Sequence, residues 1–195
     1  MGLRFLLVAA LALALTAPCN DDGAGNDPPA SPTAPATTII LDPGVDARPG
    51  STEALIVQPV PNPPTGIIIQ VATRIGLHPE SGGWDRIVFE FDRGIPPARV
   101  TYVKDVIACG SGEPVRVQGQ AFLAVQMTTA RAHNDAGNST LPSRQLAGQG
   151  GVIQEARLYC DFEAHLDWAI GLRDTKPYKI TLLLDPPRLV IDIKQ

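Results

Sequence analysis

Arg86-Ile87-Val88-Phe89-Glu90-Phe91-Asp92 and, about a hundred residues later, Arg188-Leu189-Val190-Ile191-Asp192-Ile193-Lys194 carry nearly the same pattern. Each begins with a basic residue and then alternates apolar with polar. Successive side chains of a strand point to opposite faces. Ile87, Phe89 and Phe91 therefore share one face, as do Leu189, Ile191 and Ile193. Arg86, Val88, Glu90 and Asp92 share the other, matched by Arg188, Val190, Asp192 and Lys194. Such alternation marks half-buried strands of an antiparallel sheet. If the two strands lie side by side, Arg86 and Arg188 are expected to meet Asp192 and Glu90 across the ladder. The pattern specifies scaffold and surface, not catalysis.

Strand signals dominate outward from these heptads. Apolar, β-branched or alternating runs cover 66–75, 84–92, 99–107, 115–127, 152–159, 162–172, 179–184 and 188–193. Turn residues separate them, as at Gly94-Ile95-Pro96-Pro97 and Asp185-Pro186-Pro187. No segment shows a convincing helical period with caps; residues 121–131 come nearest. About eight strands with Pro/Gly turns predict an all-β fold, a β-sandwich, from about Thr65 to Gln195. Residues 133–151, rich in Gly, Asn, Ser and Gln, read as a loop that is either functional or mobile.

The N-terminal segment reads as an export signal. Arg4 supplies a positive start, Phe5 to Leu15 an apolar run, and Thr16-Ala17-Pro18-Cys19 a small-residue junction. That run is too short to span a bilayer, which takes about 20 residues. Residues 1–19 resemble a lipoprotein signal whose lipobox ends at Cys19, the expected lipidation site. Ala17 fits; Thr16 and Pro18 depart from the usual residues. Ordinary cleavage to a free secreted protein is the competing reading. Residues 20–64 read as a Pro-rich linker, with ten prolines between 28 and 64. Its reach as a flexible chain is about 35–40 Å. Two apolar islands, 38–41 and 54–57, could dock on the domain but carry no assigned structure.

From residue 65 onward acidic and basic residues balance at fourteen each, and the acidic excess lies in the linker. A neutral domain without a basic run is a poor partner for nucleic acid or for an anionic membrane surface. Beyond Cys19, the only cysteines are Cys109 and Cys160. In an exported chain this pair reads as a disulfide, worth about 4 kcal/mol for a loop of about fifty residues.

Candidate chemistry is sparse. Arg74, His78, Trp84, Asp85 and Arg86 fall around the first predicted hairpin. They could form a ligand-binding cluster for a sugar or a peptide carboxylate, which arginine is suited to grip bidentately. The alternative is a turn-stabilising ion-pair network. Trp84, beside Gly83, could stack on a sugar ring, whereas Trp168 lies in an apolar stretch and is expected in the core. His165 and Asp167 alternate on one strand face, as do Asp161 and Glu163. Two ligands do not make a metal site, so no metal and no cofactor is expected, and a polar face is the expectation. Hydrolase and nucleotide-binding motifs are absent, and Asn138-Ser139-Thr140 reads as ordinary loop.

The succession Thr73-Arg74-Ile75-Gly76-Leu77-His78-Pro79, Trp84-Asp85-Arg86-Ile87-Val88-Phe89-Glu90-Phe91, Gly110-Ser111-Gly112-Glu113-Pro114-Val115, Gly119-Gln120-Ala121-Phe122-Leu123, Phe162-Glu163, Asp167-Trp168-Ala169-Ile170-Gly171-Leu172 and Asp185-Pro186-Pro187-Arg188-Leu189-Val190-Ile191-Asp192-Ile193 resembles the AMIN-like domain of actinobacterial lipoproteins. The resemblance covers the whole predicted domain through the order and spacing of its pieces. It implies a sandwich of two small, mainly antiparallel sheets. It also implies a cell-envelope role by relation to AMIN domains, which localise amidases and secretins and are associated with peptidoglycan. Cys109 and Cys160 are not part of that pattern. The expected protein is an exported, lipid-anchored, non-enzymatic binding module for cell-wall glycan or an envelope protein, with no attached amidase. The competing readings are an interaction module using a sheet edge and a wall hydrolase using His78 or His165 with nearby carboxylates.

Overall fold

In the computed structural model, which describes residues 37–39, 47–58, 65–79 and 82–195, the two alternating heptads lie side by side. They form β5 (Trp84–Phe91) and β13 (Pro187–Lys194). Their register sets Ile87 opposite Ile191 and Phe89 opposite Leu189, and all four are fully buried. Each such side chain contributes about 1.5–3 kcal/mol by leaving water. Across the other face, Asp192 accepts two hydrogen bonds from Arg86, at 2.6 and 2.9 Å. Arg188 does stand opposite Glu90, but Glu90 is taken by Arg74 of the next strand at 2.6 Å. Arg188 donates instead to the Pro186 carbonyl at 3.2 Å. The polar face of β13 is less exposed than alternation alone predicts. Val190 and Asp192 are both buried, with Lys179 a further 3.7 Å from the Asp192 carboxylate.

The remaining strands are β1 (Thr37–Ile39), β2 (Ala47–Ser51), β3 (Leu55–Val57), β4 (Ile68–His78), β6 (Ala98–Val103), β7 (Ala121–Thr128), β8 (Ala130–Arg131), β9 (Gln145–Ala147), β10 (Ile153–Phe162), β11 (His165–Leu172) and β12 (Tyr178–Leu184). Among the described residues they make two sheets. Sheet I runs β1-β3-β6-β7-β11-β10-β9 and sheet II runs β2-β12-β13-β5-β4-β8. Pairing is antiparallel except for β1 with β3 and β4 with β8. The sheets pack through Trp168 of sheet I, whose ring lies 5.7 Å from Phe89 of sheet II and whose indole N–H donates to Gln70 at 2.9 Å. Trp168 is fully buried and Trp84 half-buried, as their sequence surroundings imply. At Thr129, φ 60°, the chain leaves β7 in sheet I and enters β8 in sheet II.

Three features differ from the sequence expectation. First, part of the expected linker is built into the sheets: Leu55–Val57 pairs with β6, and Ala47–Ser51 with β12. Leu55 and Val57 are buried, and the Tyr178 hydroxyl reaches the Glu53 and Val100 carbonyls at 2.5 and 2.8 Å. Three apolar residues at the mouth of an existing sheet suffice to bury a strand that composition alone assigns to coil. The expected signal segment with Cys19, and most of residues 20–64, lie outside the described residues. Second, the strand expected over 115–127 begins only at Ala121, and the one over 99–107 ends at Val103. The intervening strap, 104–120, crosses the outside of sheet I. It comes so close that a Cβ at Gly171 would sit 1.9 Å from the Gln118 carbonyl oxygen. The Cys109–Cys160 disulfide, with Cα atoms 5.4 Å apart, ties this strap to β10. Third, the 133–151 stretch is not all loop: Gln145–Ala147 pairs with β10, and side chains tie the rest to β4. Thr140 Oγ1 donates to the Gln70 carbonyl at 2.6 Å, and Gln149 Nε2 donates to that of Ile75 at 2.8 Å.

Candidate ligand groove

Of the five residues singled out around the first hairpin, Arg74, His78, Trp84 and Arg86 share the outer face of two paired strands, and Asp85 turns inward. Arg74 and His78 lie on β4, Trp84, Asp85 and Arg86 on β5, with His78 opposite Trp84 and Gly76 opposite Arg86. Parity turns Asp85 to the inner face with Ile87. There it is 1% exposed and accepts from the Ile153 amide at 2.9 Å and from Gln195 Nε2 at 2.7 Å. Gly151 packs so tightly on it that a Cβ there would lie 2.0 Å from the carboxylate. Asp85 is thus an internal clamp joining β5, the start of β10 and the C-terminal residue. Arg86 is held by Asp192, and Arg74 by Glu90. What the outer face presents is the half-buried Trp84 ring, with Lys179 Nζ 5.0 Å and Lys194 Nζ 5.3 Å from its centre. Arg74 and Arg86 each sit in an ion pair, whereas Asp85 pairs with no arginine among the described residues.

A different surface gathers polar groups from neighbouring strands into one row. The strap covers one half of the outer face of sheet I and leaves the other half as an open groove of about 360 Å³. Its lining includes Ile56 and Gln58 by β3, Arg99 of β6, Gln126 and Thr128 of β7, and His165 and Asp167 of β11. The register explains the convergence. Ile56 stands opposite Arg99, Arg99 opposite Gln126, and Gln126 opposite Asp167, so one row crosses four strands. The pair Thr128–His165 forms the next row. Arg99, Gln126 and Asp167 all fall on the outward parity of their strands. That signal is present in the sequence, but it locates a site only once strand order is known.

The electrostatics of this row are unbalanced. Among the described residues, the Arg99 guanidinium makes no hydrogen bond or ion pair. Asp167 Oδ1 is buried without a hydrogen-bond partner. Burial pushes the Asp167 carboxyl up to about 6, although His165 and the Met127 amide pull against that rise. Tyr159, at the β10 bulge beside it, is pushed up to about 12, first by burial and then by the Asp167 charge, while its bond to Gln126 opposes the shift. Backbone strain collects at the same end. Thr129 is at φ 60°, and Glu163 and Ala164, which form the tight turn into His165, are at 49° and 61°. Thr129 follows Thr128, whose partner across the ladder is His165. Among the described residues these three non-glycine residues at positive φ lie within two positions of Thr128 or His165, and such strain persists only where its surroundings over-determine it.

Asp161 and Glu163 do not act together with His165 and Asp167. Asp161 is bound by His133 Nδ1 at 2.9 Å, Arg144 at 2.6 Å and the Ala132 amide at 3.0 Å, and anchors the long loop. Among the described residues, no three His, Cys, Asp or Glu side chains come together in a way that could hold a metal ion. No helix among them is long and apolar enough to cross a membrane.

Comparison with protein families matches residues 69–195 to the AMIN-like domain. No curated protein and no solved structure matches the chain.

Proposed function

The chain belongs to the AMIN-like domain family, and on that premise we propose that it is an exported, non-enzymatic binding protein of the cell envelope that contacts peptidoglycan or an envelope protein through the groove on sheet I. Family membership points to an extracytoplasmic, wall-related role. The observation that carries the assignment to the groove is a pair of open groups in one row: the half-buried Arg99, without an ion pair among the described residues, and Asp167 Oδ1, buried without a hydrogen-bond partner. Buried polar atoms are almost always satisfied, so Asp167 Oδ1 is suited to a ligand that completes it, with Arg99 a charge in the same row. The half-buried Trp84, with His78 opposite, offers a second, weaker contact for a sugar ring on the other sheet.

The N-terminal segment is read as an export signal. With Cys19 lipidated, the residues before β1 would hold the sandwich off the membrane. Mass spectrometry of the mature N-terminus tests this reading, which predicts a diacylglyceryl-modified Cys19. An unmodified terminus downstream of it contradicts anchoring. For the wall contact, the purified chain is incubated with peptidoglycan sacculi and pelleted. Retention above that of an unrelated protein, reduced severalfold by R99Q combined with D167N, is the expected outcome. Equal recovery of chain and control in the pellet would refute wall binding.

A further inference from the structure

We infer that the groove takes an extended peptide end to end, pairing a free carboxylate with Arg99 and a free amino group with Asp167, and that it discriminates against neutral sugar. The inference rests on the groove being the ligand site and deepens that reading by naming the ligand class.

The argument is one of charge, spacing and unmet hydrogen bonds. A guanidinium offers a planar pair of donors that matches a carboxylate, and an ammonium offers three donors that a carboxylate oxygen accepts. Arg99 and Asp167 lie on β6 and β11 with only β7 between them, so two interstrand spacings of about 4.8 Å put their backbones about 10 Å apart. They make no ion pair with each other, so both charges remain available to a ligand. An extended peptide covers at most about 3.3–3.6 Å per residue, so about three residues span the distance. Gln126 stands midway, with an amide able to donate to or accept from a peptide bond. Ile56 and the ends of β3 and β6 supply an apolar wall at the Arg99 end. A neutral oligosaccharide has hydroxyls for Gln126 but nothing to neutralise either charge. Desolvating two unpaired charges beneath it would cost more than its hydrogen bonds return.

Asp167 also makes the site sensitive to acidity. The groups facing it are His165 on its own strand, Gln126 on β7, Tyr159 on β10 and, one strand further, Arg99. Near pH 7.5 the carboxylate is ionised and can hold an ammonium. Near pH 5 it is largely protonated and that grip is lost, while Arg99 keeps its charge.

The test is titration of the isotope-labelled full chain with trialanine, N-acetyl-trialanine, trialanine amide and chitotriose, followed by NMR at pH 7.5 and pH 5. Trialanine should bind saturably at pH 7.5, with shifts at Arg99, Gln126 and Asp167. Each capped peptide should bind about tenfold or more weakly, and chitotriose weakest. At pH 5 the N-terminal cap should cease to matter. D167N should erase discrimination against the N-acetyl peptide alone, and R99Q discrimination against the amide alone. Both variants are conservative, and their spectra report folding in the same samples. Equal affinity for free and capped peptides, no peptide binding, or preference for chitotriose would each overturn the inference. If trialanine fails while sacculi still retain the chain, the ligand class falls and the wall reading stands. If trialanine binds as described and sacculi do not retain the chain, the wall reading falls and the ligand class stands.

Discussion

Asp192 and Asp167 show how two outward carboxylates of one sandwich acquire opposite roles. Asp192 sits in a central strand under Arg86 and Lys179. Removing it leaves two cations at a site that is 1% exposed on its side. D192A should lower stability by about 3 kcal/mol, a fall in Tm of about 6–12 °C for a chain of this size, measurable by thermal unfolding. Asp167 lacks a cation at hydrogen-bonding distance, and burial raises its folded-state pKa to about 6. For an acid the sign is fixed. Ionisation is harder in the folded than in the unfolded chain, so the charge costs stability above pH 6. That cost fades as pH falls from 6 towards the unfolded value near 4. D167N cannot ionise. It should therefore melt higher than the wild type at pH 7.5, by about 1 kcal/mol or 2–4 °C once solvent screening is allowed for. The two proteins should melt together at about pH 3.5. A wild type that melts higher than D167N at pH 7.5 would mean Asp167 is satisfied by a partner.

At the scale of elements, β5 and β13 were legible because period-two alternation, once placed in a sheet, dictates both neighbour and face. The same rule places Asp85 inward with Ile87 and Arg86 outward with Trp84. The strap at 104–120 was not legible, because its Val and Ile content is strand-like. What turns it out of the sheet is the close crossing at Gly171 and the φ of 143° at Gly119, which the apolar pattern does not encode. β3 was visible only as an apolar island. Its anchoring is tertiary, through Leu55, Val57 and the Tyr178 hydroxyl. Y178F removes that hydroxyl and should cost about 1–2 kcal/mol. Amide exchange should accelerate by about tenfold in β3, which forms a wall of the groove, relative to β13. Unchanged exchange in β3 would mean that pairing with β6 alone holds it.

For the molecule as a whole, the fold follows from local patterning, whereas the groove follows from topology. Its polar row draws on residues from Ile56 to Asp167, and no window of sequence brings them together. The disulfide acts at this scale as well. It pins the strap that defines where the open half of sheet I begins. Replacing Cys109 and Cys160 by serine should cost about 4 kcal/mol in the chain-entropy model, measured by denaturant unfolding against the oxidised chain. The central claim is that this open half, and not the Trp84 face, meets the cell wall. Hydrogen exchange of the chain with and without saturating peptidoglycan sacculi tests it most directly. The account predicts slowed exchange at Leu55–Gln58, Ala98–Val100, Gln126–Thr128 and His165–Asp167, with β4 and the start of β5 unchanged. Protection confined to the β4–β5 hairpin, or found nowhere, would contradict it.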